Sequence, residues 1–210
     1  MKRLIDYPDG IGFSGLAADT WDDTVEKGGI GRVRGLEVML RRERGKLNGW
    51  ISYTLSKSER QFTNIDEARW YPMRYDRRHN LAVTGNLKIG KKWSLSSTFI
   101  YQTGHAVTLP VAATSGRFAS ETRLLYGDRN NGRMPAYHRL DLGASKELIT
   151  RHGRKAQLNF GLYNAYNRAN PLYFNFKTIV NPKDGVPQGI ELKQRSLVPV
   201  LPYISYTLNF

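Results

Sequence analysis

The sequence predicts an all-β fold, a transmembrane antiparallel β-barrel with room for about nine or ten strands, on three observations. Charge-free windows of about ten residues recur along the chain, apolar and polar residues alternate inside them, and the connections between them alternate short and long. Leu47–Ser56 lies between Lys46 and Lys57, His79–Leu87 between Arg78 and Lys88, and Ala156–Asn167 between Lys155 and Arg168, while Ser196–Phe210 carries no charge. A tilted strand crosses a bilayer in roughly 9–11 residues, whereas a helix needs about 20. Residues 93–116 also lack Asp, Glu, Lys and Arg, but their Ser and Thr content, with Gly104, His105 and Pro110, excludes a membrane helix.

Residues 1–27 hold no alternating run and are expected to form a loop or partial strand. Asp6 and Pro8 interrupt the apolar stretch that a secretory signal peptide would need. The barrel segment is expected over 28–210, opening with a strand at 32–42. In 47–57, Leu47, Gly49, Ile51, Tyr53 and Leu55 oppose Asn48, Ser52, Thr54 and Ser56, with Trp50 the exception. In 79–89, Leu81, Val83, Leu87 and Ile89 oppose Asn80, Thr84, Asn86 and Lys88. In 93–103, Trp93, Leu95, Phe99 and Tyr101 oppose Ser94, Ser96, Thr98 and Gln102. A short strand is expected at 105–110. In 138–148, Leu140, Leu142 and Ala144 oppose Arg139, Asp141 and Ser145, and in 155–166, Leu158, Phe160 and Leu162 oppose Gln157, Asn159 and Gly161. A pair at 171–180 with 189–198 follows. The last strand, 201–210, alternates Pro202, Ile204, Tyr206, Leu208 and Phe210 with Tyr203, Ser205, Thr207 and Asn209. A period of two is the signature of half-buried strands.

Arg44-Gly45-Lys46 and Gly90-Lys91-Lys92 read as tight turns, whereas Lys57–Arg78 and Val111–Tyr137 read as long polar loops. Short turns on one side and long loops on the other are the habit of outer-membrane barrels. Trp93 and Tyr101 share a face eight residues apart, which with tilt is roughly 20 Å along the membrane normal and matches two interfacial aromatic girdles. Leu47, Ile51, Tyr53, Leu55, Leu95, Phe99, Leu158, Phe160 and Leu162 are therefore expected to face lipid. Glu37, Trp50, Thr54, Asn86, Gln102, Arg139, Asp141, Asn159 and Tyr163 are expected to face the lumen.

Among 210 residues, 32 Lys and Arg against 18 Asp and Glu give a net charge of +14, which points to an anionic partner such as nucleic acid, lipopolysaccharide or an acidic ligand. Loop arginines Arg69, Arg74, Arg77, Arg117, Arg123, Arg129 and Arg133 are candidates to gather such a partner. Tyr71-Pro72-Met73-Arg74-Tyr75-Asp76-Arg77-Arg78 interleaves rings and cations as a nucleic-acid surface would, but the cations sit in loops and form no single stripe. The reading is of no nucleic-acid partner. The absence of Cys excludes disulfides, Cys-ligated zinc and thiol catalysis. His79, His105, His138 and His152 have no metal-ligand spacing, and His138 and Asp141, three apart on a strand, fall on opposite faces. With no G-x-S-x-G, P-loop or G-x-G-x-x-G, the expectation is not an enzyme, with no catalytic, metal or cofactor residues.

Several ordered blocks then carry a family resemblance. Residues 71–81 (Tyr71-Pro72-Met73-Arg74-Tyr75-Asp76-Arg77-Arg78-His79-Asn80-Leu81), Lys91-Lys92-Trp93 and Tyr101-Gln102-Thr103-Gly104 resemble the late barrel of TonB-dependent outer-membrane receptors. So do residues 133–142 (from Arg133-Met134-Pro135 to Leu142), residues 160–171 around Tyr163-Asn164-Ala165-Tyr166-Asn167, and Pro199–Phe210 with its terminal aromatic. The subgroup most resembled carries a carboxypeptidase-regulatory-like domain before the plug. The resemblance implies the C-terminal part of a 22-stranded barrel in the cell outer membrane, without its plug. It implies TonB-dependent active uptake of a nutrient, a class that spans siderophores, cobalamin, sugars and peptides. The implied partners are outer-membrane lipid and lipopolysaccharide, the N-terminal plug and upstream strands, TonB through the N-terminal region, and a small-molecule or oligomeric nutrient. No cofactor is implied, and no ligand-binding residue is assigned. The alternative is a free-standing small barrel, a passive pore or structural protein.

Overall fold

The computed structural model describes residues 1–7, 25–115, 122–181, 183, 186–196 and 198–208. Its strands, in chain order, are β1 (Leu4–Asp6), β2 (Glu26–Arg42), β3 (Leu47–Gln61), β4 (Tyr71–Pro72), β5 (His79–Ile89), β6 (Trp93–Gln102), β7 (Ala106–Val107) and β8 (Pro110–Ser115). There follow β9 (Thr122–Tyr126), β10 (Gly132–Arg133), β11 (Tyr137–Ile149), β12 (Lys155–Tyr163), β13 (Pro171–Val180), β14 (Pro187–Ser196) and β15 (Leu201–Leu208). No described helix is long and apolar enough to cross a membrane.

One antiparallel sheet runs in the order β1-β2-β3-β5-β6-β11-β12-β15, with β4 paired beside β3. Residues 43–46, 90–92 and 150–154 make three short turns, and 62–78, 103–136 and 164–200 make three long returns. Because each neighbour reverses direction, all the short turns lie at one end of the sheet and all the long connections at the other. The sheet is open among the described residues: β15 pairs only with β12, and β1 covers only Glu26–Gly29 of β2's outer edge. Among the described residues no closed barrel is present.

Register settles the faces, since directly opposed residues point the same way. Leu40↔Ile51↔Val83↔Phe99↔Leu140 is one cross-strand row, and Ala144↔Phe160↔Ile204 is another on the same face. All nine residues expected to face lipid belong to this face. Arg41↔Trp50↔Thr84↔Thr98↔Asp141 and Ser145↔Asn159↔Ser205 run along the opposite face, which holds all nine residues expected in the lumen. Val33, Met39, Ala82, Ile100, Ile149 and Leu201 are apolar residues on it. Gly143↔Gly161↔Tyr203 is a further row of the polar face, where a Cβ on Gly161 would meet the Tyr203 hydroxyl at 2.7 Å and the Leu142 carbonyl oxygen at 2.4 Å. Only glycine admits the phenol ring there.

Among the described residues buried side chains are few, and most sit at the long-loop end. Phe62, Ile65 and Tyr71 form a small core with Leu4 against it, while Ala106 and Met134 are buried nearby. Within the seven long strands Ala156 is the buried apolar residue, and large side chains of the apolar face stay open: Leu40 is 66% and Ile204 74% exposed.

Several boundaries differ from the sequence expectation. β2 begins at Glu26, not 32, because Gly28, Gly29 and Gly31 hide its alternation, with Gly28 at φ 86° where the ladder to β1 shifts register. The strand expected at 105–110 is two residues long, Ala106–Val107, laddered to Gly132–Arg133, and Pro110 starts a different ladder with 122–126. The 111–137 loop thus contains strands. The 171–180 and 189–198 pair exists as a hairpin, Pro171–Val180 with Pro187–Ser196, but outside the main sheet, whose nine strands are seven long ones with the short β1 and β4. β12 stops at Tyr163 because Asn164 turns left-handed (φ 54°). Residues 1–27 supply β1, and the terminal Phe210 lies outside the described residues.

Candidate functional site

Two surfaces invite function: the exposed apolar face, and a chamber among the long loops. Aromatic side chains frame the apolar face at both ends. Near the loops, Tyr53 stacks on His79 with centroids 6.1 Å apart and their Oη and Nδ1 atoms 2.8 Å apart. In the next strands Tyr101 stacks on His138, whose Nδ1 lies 2.7 Å from the Tyr166 hydroxyl. Near the turns, Trp93 meets Phe160 edge-on at 6.0 Å, and the Lys146 ammonium lies 5.1 Å from the Trp93 ring centre. Amphipathic rings at two levels with aliphatic side chains between them suit a slab with polar boundaries.

The polar face is a hydrogen-bonded lattice. Gln102 donates to Asn80 at 3.3 Å, Thr84 and Thr98 hydroxyls lie 3.3 Å apart, and Gln157 donates to Asn159 at 3.0 Å. Arg139 bonds Asp141 at 3.0 Å and the Tyr163 hydroxyl, its guanidinium 4.0 Å above the Tyr163 ring. These side chains satisfy one another and present no reactive pair. His138 and Asp141 do lie on opposite faces, and among the described residues no three His, Asp or Glu converge to hold a metal.

At the loop end a chamber of about 480 Å³ is lined by cations and rings, among them Arg60, Arg74, Arg129, His105, Tyr75 and Phe174. Asp6 organises one wall. Its carboxylate accepts from the Tyr71 hydroxyl at 2.9 Å and from Arg129 at 2.6 Å, and Arg60 stands 3.7 Å away. Burial first, and then the Asp6 carboxylate, push the Tyr71 phenol well above its ordinary value, so it stays a donor. Outside the lining, Asp76 ties the long connections together: its buried carboxylate accepts the Ser58 backbone N–H at 2.6 Å and pairs with Arg133.

The loop arginines are thereby accounted for one at a time. Arg69 makes a two-pronged contact with Asp128 at 2.8 and 3.1 Å, Arg129 pairs with Asp6, Arg133 with Asp76, and Arg77 donates to Gln102. Arg74 lies 5.9 Å from the Tyr75 ring centre. Arg117 and the Arg123 side chain lie outside the described residues. Asp6 and Asp76 gave no signal in the sequence, since their partners are 123 and 57 residues away.

His105 gives this end a pH dependence. Burial lowers its imidazole pKa, and Arg77, Arg74 and Arg133 add in the same direction. An unfolded imidazole titrates near about 6.5, so the unfolded loops bind the proton first, and the stability His105 contributes is present above that value and lost as pH falls through the lower folded one. Trypsin should therefore cleave the 62–78 and 103–136 connections several-fold faster at pH 5 than at pH 7.5 after correction for its own profile, and His105→Gln should shrink the difference. Equal rates at both pH values would contradict this assignment.

Comparison with known proteins gives no family-model match, no matching curated protein and no matching solved structure.

Proposed function

We propose that this chain is the C-terminal portion of the transmembrane barrel of a TonB-dependent outer-membrane receptor, and that it takes part in active uptake of a nutrient. The observation that supports it best is the broad apolar face across seven antiparallel strands, broken between its aromatic ends by Ser97 and, at the β2 edge, by Arg42, and carrying many exposed aliphatic side chains. A water-soluble sheet would cover such a face with a second layer, because contiguous exposed apolar area is a liability in water and a requirement in lipid. Short turns at one end and long loops at the other fit the same reading. The open edges of β2 and β15 fit a larger barrel better than a free-standing one, since an unpaired edge in hydrocarbon leaves backbone groups without partners.

In this reading the polar face lines the lumen and abuts a plug, and the loop chamber lies on the outer side as part of the mouth. Not catalysis but binding is its role. The test is an immunoblot of unheated and boiled outer membranes with an antibody against residues 103–136. The expected result is a heat-shifted band well above 24.0 kDa. A heat-shifted band at 24.0 kDa would replace the energised receptor by a small passive barrel, and a band confined to the soluble fraction would end the membrane reading.

A further inference from the structure

The excess positive charge lies at the short-turn end. Residues 41–46, 88–92 and 146–155, the three turns with their flanking strand positions, contain eleven Lys and Arg against Glu43 and Glu147, which is +9 of the chain's +14. The turns are neighbours, because the Lys88 N–H donates to the Lys46 carbonyl and the Glu147 N–H to the Lys92 carbonyl, each at 2.8 Å. Their cations therefore form one exposed collar. Within the collar Arg41 pairs with Glu43 at 3.2 Å, and the cations still outnumber the carboxylates there, whereas at the loop end Arg32, Arg69, Arg129 and Arg133 each have a carboxylate partner within the chain.

Beside the collar the apolar face carries two features of lipid size. Lys146 lies on that face opposite Leu158, its ammonium over Trp93, so a cation and an indole stand together where hydrocarbon side chains give way to charged turns. Adjoining them, an apolar trough of about 490 Å³ lies between Leu47, Leu87, Leu95, Ala144, Phe160 and Leu162. Lysine stems that bury their methylenes and raise the ammonium to the headgroup level, with an indole at the same depth, suit a phosphate at an interface.

We propose that the turn end binds an anionic glycerophospholipid of the phosphatidylglycerol type, an acyl chain in the trough, the phosphate at Lys146 and Trp93, and further negative headgroups at the collar. This rests on the membrane reading above. A cation beside an anionic lipid surface raises preference for it about fivefold, and neighbouring cations act together. The collar would fix the depth of the sheet in the leaflet that its turns border.

The full protein is extracted from cell membranes with a styrene–maleic acid copolymer, and its surrounding lipids are quantified by mass spectrometry. The expected result is several-fold enrichment of phosphatidylglycerol and cardiolipin over the bulk membrane. K91Q/K92Q/R151Q should abolish it, and the charge-preserving K91R/K92R/R151K should keep it. Bulk composition around the unaltered protein, enrichment that survives loss of the three charges, or lipopolysaccharide in place of phospholipid would each overturn the proposal while the protein still fractionates with the outer membrane. Recovery only in the soluble fraction would remove the membrane reading itself, and this proposal with it.

Discussion

Replacing Arg133 by methionine will loosen the loop end more than replacing its partner Asp76 by asparagine. The Asp76 side chain is 1% exposed and that of Arg133 38%. Loss of Arg133 strands a buried carboxylate that retains only the Ser58 N–H, and breaking a buried pair from that side costs about 3–5 kcal/mol. Loss of the Asp76 charge leaves a guanidinium that can turn toward water, and the asparagine oxygen still accepts from Ser58, so about 1–2 kcal/mol is expected. Because proteolysis of a closed loop tracks its opening equilibrium when reclosing is fast, trypsin cleavage at residues 74–78 should accelerate about a hundredfold or more in Arg133→Met and about tenfold in Asp76→Asn. The double variant Asp76→Asn/Arg133→Met should be cleaved more slowly than Arg133→Met alone. Equal effects of the two single changes would show that the pair is held for its geometry and not for a buried charge.

Asn164→Ala is expected to detach the last long connection from the sheet. Asn164 is fully buried, donates to the carbonyls of Arg168 and Val198 at 3.0 and 3.1 Å, and accepts the Arg168 N–H at 3.1 Å. Its own N–H reaches Asp141 at 2.9 Å, which ties the turn to β11. Alanine would leave the part-buried Arg168 N–H and Val198 carbonyl without this partner, while the Arg168 carbonyl keeps the Asn170 N–H at 2.9 Å, and would hold φ 54° without the tolerance of asparagine for that region, for a cost of about 3 kcal/mol. Asn164→Gly separates the two causes, since it removes the bonds but accepts the backbone angle, and should recover about 1 kcal/mol. Urea midpoints of the membrane-embedded protein measure both. A midpoint unchanged in Asn164→Ala would show that the surrounding turn stands without this side chain.

The sheet was legible in the sequence where one rule acted alone. His79–Ile89 and Trp93–Gln102 match the expected 79–89 and 93–103 almost to the residue, because their alternation, broken only at Ala82, Gly85, Ser97 and Ile100, runs up to the charged turn between them. β2 was legible only in part, since glycines carry no polarity to read, and Pro110 broke the expected 105–110 strand by removing a ladder donor. The loop end was closed to this kind of reading. Asp6 with Arg129, Asp76 with Arg133 and the Phe62, Ile65, Tyr71 core join residues by long-range folding, and no periodicity encodes that. The Asn164 turn lies between these cases: its asparagines could be seen, but their bonds to Val198 and Asp141 could not.

The central claim is that one face of the sheet meets lipid and the other meets water. The chain has no cysteine, so single cysteines report cleanly. Leu95→Cys, Phe99→Cys, Leu158→Cys and Phe160→Cys, interleaved with Ser94→Cys, Thr98→Cys, Gln157→Cys and Asn159→Cys, are treated in intact membranes with a charged maleimide and with a lipid-soluble one. The account predicts that the first four react only with the lipid-soluble reagent and the second four with the charged one, a period of two along both strands. Reaction of all eight with the charged reagent would place both faces in water and contradict it.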